Sequence, residues 1–317
     1  MRLNDHISKF LPLYIALGAV IAYMVPGPFA VFEGSTDFLL GFVIFLAGLS
    51  MAMEDLAILK KSFFIISTGL FLKWTLTVAL SVVLAVVFFS NLPEIADGLI
   101  LTGSVPSGTA ATLYTFLAGG NASLIVAMGI LDVFISPVLT PAIMDFFASG
   151  SVVVSFFQLA KKMFFIVILP IVLGMAARHL FQNAIHKITE YRRFASSFTI
   201  VFIVVTVVAS VSSQMKLGAG LLVGLTIAVF VQVLLPMLAG YKIALLAGIK
   251  RESAIAILFE VGLCNSALAA ILALEFFGVT AAIPAVINMI INLSLGAYFS
   301  NYLGRESELL LKREESS

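Results

Sequence analysis

From Leu11 to Leu303 the chain is almost a succession of apolar stretches, each long enough to cross a lipid bilayer and separated by short polar or Gly/Pro-containing joints. Crossing the hydrocarbon takes about 20 mainly apolar residues in a helix. Cutting at the joints gives ten segments: 11–32, 38–57, 63–89, 95–118, 121–147, 152–180, 194–213, 217–246, 252–277 and 279–303. A backbone in hydrocarbon must satisfy its own hydrogen bonds, and segments of this length do so as helices. The fold class expected is therefore an all-α polytopic membrane protein forming one membrane domain over residues 1–317.

The charge content agrees. Only 11% of residues are charged, against about 25% in a soluble domain, too few to keep a water-facing surface wet. The net charge of +1 and the lack of a long basic cluster argue against nucleic acid as a partner. A single cysteine, Cys264, excludes an intrachain disulfide and any cysteine-rich metal site. The first apolar run, after Arg2 and Lys9, looks like a signal peptide. No small-x-small cleavage site follows before Pro26, so it reads as a retained span.

Orientation follows from lysine and arginine. With ten spans, Arg2, Lys9, Lys60, Lys61, Arg178, Lys187, Arg192, Arg193, Lys250, Arg251, Arg305, Lys312 and Arg313 share one side, leaving Lys216, Lys161 and Lys162 on the other. Nine spans would scatter these charges. The expectation is an inner (plasma) membrane protein with both termini in the cytoplasm and a short tail at 304–317. Ten spans divide into halves of five, about 11–147 and 152–303, which enter the membrane in opposite senses as an inverted repeat. Span 4 is interrupted at Gly103-Ser104-Val105-Pro106-Ser107-Gly108-Thr109 and span 9 near Gly262-Leu263-Cys264-Asn265-Ser266. Matched interruptions in two halves point to a transporter's binding site; a lone one would be ordinary for a membrane helix.

Three charges lie deep in separate apolar segments: Lys73, Asp132 and Glu260. Each sits roughly 12–17 Å along its span, near the middle of a 30 Å core. Charges at that depth are paired and mark transport or ion pathways; they are the coupling or gating candidates. The alternative is a static buried pair that merely fixes packing, a poor stabiliser because desolvation offsets its attraction. Glu54, Asp55, Asp97, Asp145 and Glu275 lie nearer span ends and read as interfacial. Pro137, Pro141 and Pro284 read as kinks, and Asn265, Asn288 and Asn292 as cavity lining or interhelical hydrogen bonds. The spans hold no His-Glu-x-x-His, nucleotide loop or Ser/His pairing, which argues against an enzyme.

The run Gly103-Ser104-Val105-Pro106-Ser107-Gly108-Thr109-Ala110 followed by Ile135-Ser136-Pro137-Val138-Leu139-Thr140-Pro141 resembles the bile acid:sodium symporter family, as does Glu260-Val261-Gly262-Leu263-Cys264-Asn265-Ser266-Ala267-Leu268-Ala269. Asn91-Leu92-Pro93 and Leu169-Pro170-Ile171-Val172-Leu173-Gly174 agree too. The resemblance implies a bacterial member with ten helices in two inverted five-helix repeats, a panel and a core domain, and broken helices 4 and 9 crossing at their breaks. The implied cargo is a small organic anion, a bile-acid-like or pantothenate-like carboxylate, moved with two sodium ions.

The sodium ligands that the family implies are largely missing. Its span 4 Ser and Asn fall on Ala111 and Thr112, two span 5 hydroxyls on Ile125 and Gly129, and the span 9 Gln on Cys264. Its span 3 Gln falls on Lys73, Asp132 replaces a small hydroxyl residue, and the acidic ligand is kept as Glu260. Hard cations need several oxygen ligands, which aliphatic and thiol groups do not supply. The expectation is that Lys73 replaces a sodium ion and neutralises Glu260, that transport is sodium-independent, and that no cofactor is needed. Thr109, Thr112 and Asn265 are the substrate-contact candidates. Ordinary sodium symport is the nearest rival, and a non-transporting membrane sensor or scaffold the rival of another class. Proton coupling, exchange and facilitated diffusion stay open.

Overall fold

A computed structural model describes residues 3–51, 58–148, 155–181, 189–212 and 218–314. Helix dominates throughout. In chain order come α1 (Leu3–Met24), α2 (Thr36–Gly48) and α3 (Ile58–Leu72), which runs through a π-helical turn (Lys73–Thr77) into α4 (Val78–Phe89). Next are α5 (Pro93–Gly103), α6 (Thr109–Leu117) and α7 (Ala122–Phe147). The helix α8 (Phe156–Met163) passes through a second π-helical turn (Phe164–Ile168) into α9 (Leu169–Leu180). Last come α10 (Thr189–Val211), α11 (Ala219–Leu246), α12 (Arg251–Gly262), α13 (Ser266–Phe276) and α14 (Val279–Glu314).

Among the described residues six helical stretches are long and apolar enough to cross a membrane: Lys61–Phe89, Ala122–Phe147, Phe156–Leu180, Phe194–Val211, Ala219–Leu246 and Val279–Glu306. Leu13–Met24, Thr36–Gly48 and Ser266–Phe276 are shorter apolar helices. Large apolar side chains face outward along these helices, among them Phe63, Phe64, Phe71, Phe88, Phe157 and Leu246. A soluble monomer does not expose apolar surface on this scale; lipid is its natural cover. This is a multi-pass membrane protein.

Packing sorts the helices. The helix α1 lies on α10, α2 on both α9 and α10, while α3, α5, α6, α7, α11, α12, α13 and α14 interlock among themselves. The approach of α2 to α9 is backbone to backbone: a Cβ at Gly48 would collide with the Ile171 carbonyl, and one at Gly174 with that of Phe45. Two glycines therefore let these helices meet more closely than any side chain allows.

Of the residues expected at span ends, Asp97 is instead fully buried in α5. It sits on the first turn and a half of the helix, but α14 packs across α5 and covers it. Depth along a span is a poor measure of burial once a neighbouring helix covers the end. Glu54 and Asp55 lie outside the described residues, as does Lys216.

Candidate functional site

The site is built where two chain interruptions meet. Between α5 and α6 the backbone leaves the helix at Ser104 and re-enters after Gly108; between α12 and α13 it does so around Leu263–Asn265. These segments pair antiparallel. The Gly108 N–H donates to the Leu263 carbonyl at 2.9 Å and the Asn265 N–H to the Pro106 carbonyl at 2.8 Å. Each break thereby satisfies backbone groups that the other's loss of helix had freed, which is how irregular backbone survives at membrane depth.

Side chains tie the breaks to their surroundings. Asn265 caps α13, its Oδ1 accepting from the Leu268 N–H at 3.2 Å. The thiol of Cys264 donates to Asn288 Oδ1 at 3.2 Å, and Ser266 Oγ donates to the same oxygen at 2.6 Å. Asn292 Nδ2 donates to the Cys264 carbonyl at 2.8 Å and to Ser266 Oγ at 3.1 Å. The asparagines of α14 thus act as interhelical struts against the second break.

The π-helical turn brings Lys73 to the first break. Lys73 is 2% exposed and Thr77 is buried, while Thr75 between them faces outward. Thr77 Oγ1 donates to the Val261 carbonyl at 2.9 Å and so anchors the turn on α12. Lys73 Nζ donates to the Val105 carbonyl at 3.0 Å and forms an ion pair with Asp132 Oδ2. The Trp74 ring lies beside the ammonium, with its centroid 4.5 Å away. Asp132 also accepts from Trp74 Nε1 at 2.7 Å and from the Ser107 N–H at 2.6 Å. Both partners are therefore hydrogen-bonded as well as paired, the condition a buried ion pair needs. π-helical turns concentrate at functional sites, and this one carries the buried cation.

Glu260 is treated differently. It is wholly buried, and neither carboxylate oxygen has a hydrogen-bond partner among the described residues. Asp132, Lys73 and Ser107 are the polar groups around it. The ion pair is thus Lys73 with Asp132, not Lys73 with Glu260. The three charges sum to −1 if all are ionised, and Glu260 carries the unbalanced one.

A cavity of about 40 Å³ adjoins this carboxylate, lined among others by Ser107, Thr109, Ala111, Thr112, Ile125, Gly129, Glu260 and Asn265. It gathers most of the positions singled out in the sequence. Its oxygen donors are Glu260, Ser107, Thr109, Thr112, Asn265 and backbone carbonyls; Ala111, Ile125 and Gly129 contribute no side-chain oxygen. Cys264 lines a neighbouring cavity of about 90 Å³ instead, together with Thr109 and Asn265. A larger cavity, about 330 Å³, lies between α2 and α10 on one side and α6, α7 and α14 on the other, and its lining includes Ser50, Thr109, Thr112, Tyr114, Ser196 and Ser197. Thr109 and Thr112 face both this cavity and the small one beside Glu260.

Comparison with known proteins gives the lineage. The model of the sodium bile acid symporter family matches residues 37–221. An uncharacterised sodium-dependent transporter of Bacillus subtilis, YocS, is 30% identical over 306 residues, covering 96% of this chain and 94% of its own. The chain belongs to the sodium bile acid symporter family. A probable chloroplastic sodium/metabolite cotransporter, BASS1 of Arabidopsis thaliana, is 24% identical over 318 residues, covering 96% of this chain and 75% of its own. Membership makes the chain a membrane transporter, and the stretch matched by the family model includes Lys73 and Asp132.

Residues outside the expected set also belong to this neighbourhood. Trp74 and Ser107 hold Asp132, and Thr77 anchors the turn. The signal for Trp74 was its position beside a mid-span lysine, since it is the chain's one tryptophan. Gln232 of α11 is buried and donates to Ser81 Oγ at 2.7 Å and the Leu99 carbonyl at 2.8 Å. It braces the helices behind the first break.

Proposed function

We propose that the chain is a secondary transporter of a small organic anion, a bile-acid-like or pantothenate-like carboxylate, that works by alternating access without sodium, Lys73 taking the place of a sodium ion. The observation that carries this reading is the environment of Lys73. Its ammonium is held at mid-span depth by a backbone carbonyl at a helix break and by a carboxylate, the kind of oxygen ligands a hard cation would use. The loss of side-chain oxygens at Ala111, Ile125 and Gly129 points the same way.

The transport cycle follows from a ten-span arrangement in two inverted repeats, about 11–147 and 152–303. Pairings that correspond under such a repeat recur: α1 on α10 with α9 on α2, and α4 on α5 with α11 on α12. The helices α1, α2, α8 with α9, and α10 form the panel, the remainder the core, and the paired breaks are where the broken spans cross. The 330 Å³ cavity between the two is the passage, with Thr109, Thr112 and Asn265 meeting the cargo. The N-terminal turn of α6, with its positive dipole end, favours a carboxylate there. The setting is the inner membrane of a bacterial cell, both termini cytoplasmic.

A second reading rests on Glu260. A wholly buried carboxylate that has no hydrogen-bond partner among the described residues and lies beside a cavity fits a cation, so sodium symport with Glu260, Thr112 and carbonyl oxygens as ligands is the competing account. Thermal unfolding of purified protein across a sodium titration, against choline at constant ionic strength, separates the two. A bound ion stabilises by about 2.7 kcal/mol at a hundredfold excess over its dissociation constant. The sodium-independent reading expects equal responses to sodium and choline; a sodium-specific rise would overturn it. Saturable flux in liposomes tests transport itself.

A further inference from the structure

Away from the charged centre, a second ionic cluster spans three helices. Lys162 of α8 forms ion pairs with Asp37 of α2 and with Glu275 of α13. Lys162 is 21% exposed and the two carboxylates 43% and 40%, so the cluster is half in water. Asp37 lies at the start of α2, whereas the 330 Å³ cavity is lined by Leu46, Ala47, Ser50 and Met51 at and beyond its end. Nine positions of helix, from Asp37 to Leu46, separate the two, a distance of about 13–14 Å along the axis. The same holds on the other side of the cleft. Glu275 ends α13, while the opposite end of that helix starts at the break. The ion cluster and the open cavity therefore sit at opposite faces of the protein.

We propose that Lys162, Asp37 and Glu275 form a charge latch that holds the face opposite the cavity shut, and that its breaking is a step in exposing the central site to that face. The proposal rests on the alternating-access reading above. Its physical sense lies in where the three charges are. Asp37 belongs to a helix packed on α9 and α10, Lys162 to α8, which packs on α7 and continues through the second π-helical turn into α9, and Glu275 to a helix packed on α14 and α5. Any separation of the Asp37 and Glu275 helices at this face must pull Lys162 from one of its two carboxylates. Lys161, the next residue, is exposed and forms no ion pair among the described residues, so one lysine of the pair was placed for this contact. Pairs this exposed are weak, which suits a contact that has to open in every cycle. A buried latch of the Lys73–Asp132 kind would not release.

Reporter cysteines test it without needing a cargo. Ile271 is 3% exposed, lies one turn before Glu275, and lines the cleft beside the latch; Ser197 lines the cavity at the other face. Each is made cysteine separately in full-length protein carrying Cys264→Ala, and the rate of labelling by a hydrophilic maleimide is measured in detergent. Lys162→Gln is expected to raise labelling at Ile271→Cys roughly fivefold and to lower it at Ser197→Cys by a similar factor. Lys162→Arg keeps both rates near the parent, and Lys161→Gln, which removes the same charge one residue away, leaves them unchanged. Should Lys162→Gln not fold, Asp37→Asn with Glu275→Gln gives the same comparison. An unchanged Ile271→Cys rate overturns the latch; so does a rise there without the fall at Ser197→Cys, which would mean local fraying. Reciprocal labelling without flux in liposomes would leave the latch standing and sink the transport reading. Flux with unchanged labelling would do the reverse.

Discussion

At the scale of single residues the buried charges divide into a satisfied pair and an unsatisfied acid. Asp132 receives the Lys73 ammonium, the Trp74 indole and the Ser107 amide, so it is saturated. Removing Lys73 alone leaves that carboxylate buried without its cation, a change that costs about 3–5 kcal/mol. Lys73→Gln is therefore expected to lower the unfolding midpoint sharply. Lys73→Gln with Asp132→Thr removes both charges and is expected to recover most of the loss, because a charge-free site has no desolvation to offset. If the double variant is as unstable as the single one, the pair does not work as a unit. The sequence disclosed all three charges because lipid makes them conspicuous. It did not disclose which would pair. Lys73 reaches Asp132 because the backbone widens into a π-helical turn at that residue, and no residue type in Lys73–Thr77 announces that widening.

At the scale of elements, the two interruptions were legible because Gly, Pro, Ser and Asn collect there. Their mutual pairing follows from a need the sequence also states, since each leaves amides and carbonyls without a helical partner. What the sequence left open was the service of α14. Asn288 and Asn292 lie four residues apart, on one face of that helix, and both reach the second break. Asn292 supplies the side-chain donor for the Cys264 carbonyl, which otherwise accepts only from the Ser266 N–H at 3.1 Å, so Asn292→Leu removes one hydrogen bond from the break at a cost of about 0.5–1.5 kcal/mol. The expected outcome is a lower unfolding temperature together with faster reaction of Cys264 with a maleimide, as the break loosens around it. A drop in stability with Cys264 reactivity unchanged would show that Asn292 braces α14 rather than the break. Asp97 was misplaced for a related reason: burial at a span end depends on which helix crosses it, and a span considered alone carries no record of its neighbour.

For the whole molecule the decisive quantity is which way the 330 Å³ cavity faces, because that assigns the latch and the passage to sides of the membrane. Charge supplies the argument. Lys61, Arg178, Lys250, Arg251 and Arg305 lie near the helix ends shared by Ser50 and the cavity, and only Lys161 and Lys162, the latter committed to two carboxylates, lie near the latch among the described residues. Basic residues stay on the cytoplasmic side, so the cavity is expected to open to the cytoplasm and the latch to close the outer face. Gly34 lies beside the latch and Ser50 at the cavity, and both are exposed. In a Cys264→Ala background, Gly34→Cys should react with a membrane-impermeant maleimide in right-side-out vesicles and Ser50→Cys in inside-out ones. The opposite pattern would turn the molecule over: the cargo would then be admitted from outside in this conformation, and Lys162 would guard its release into the cell.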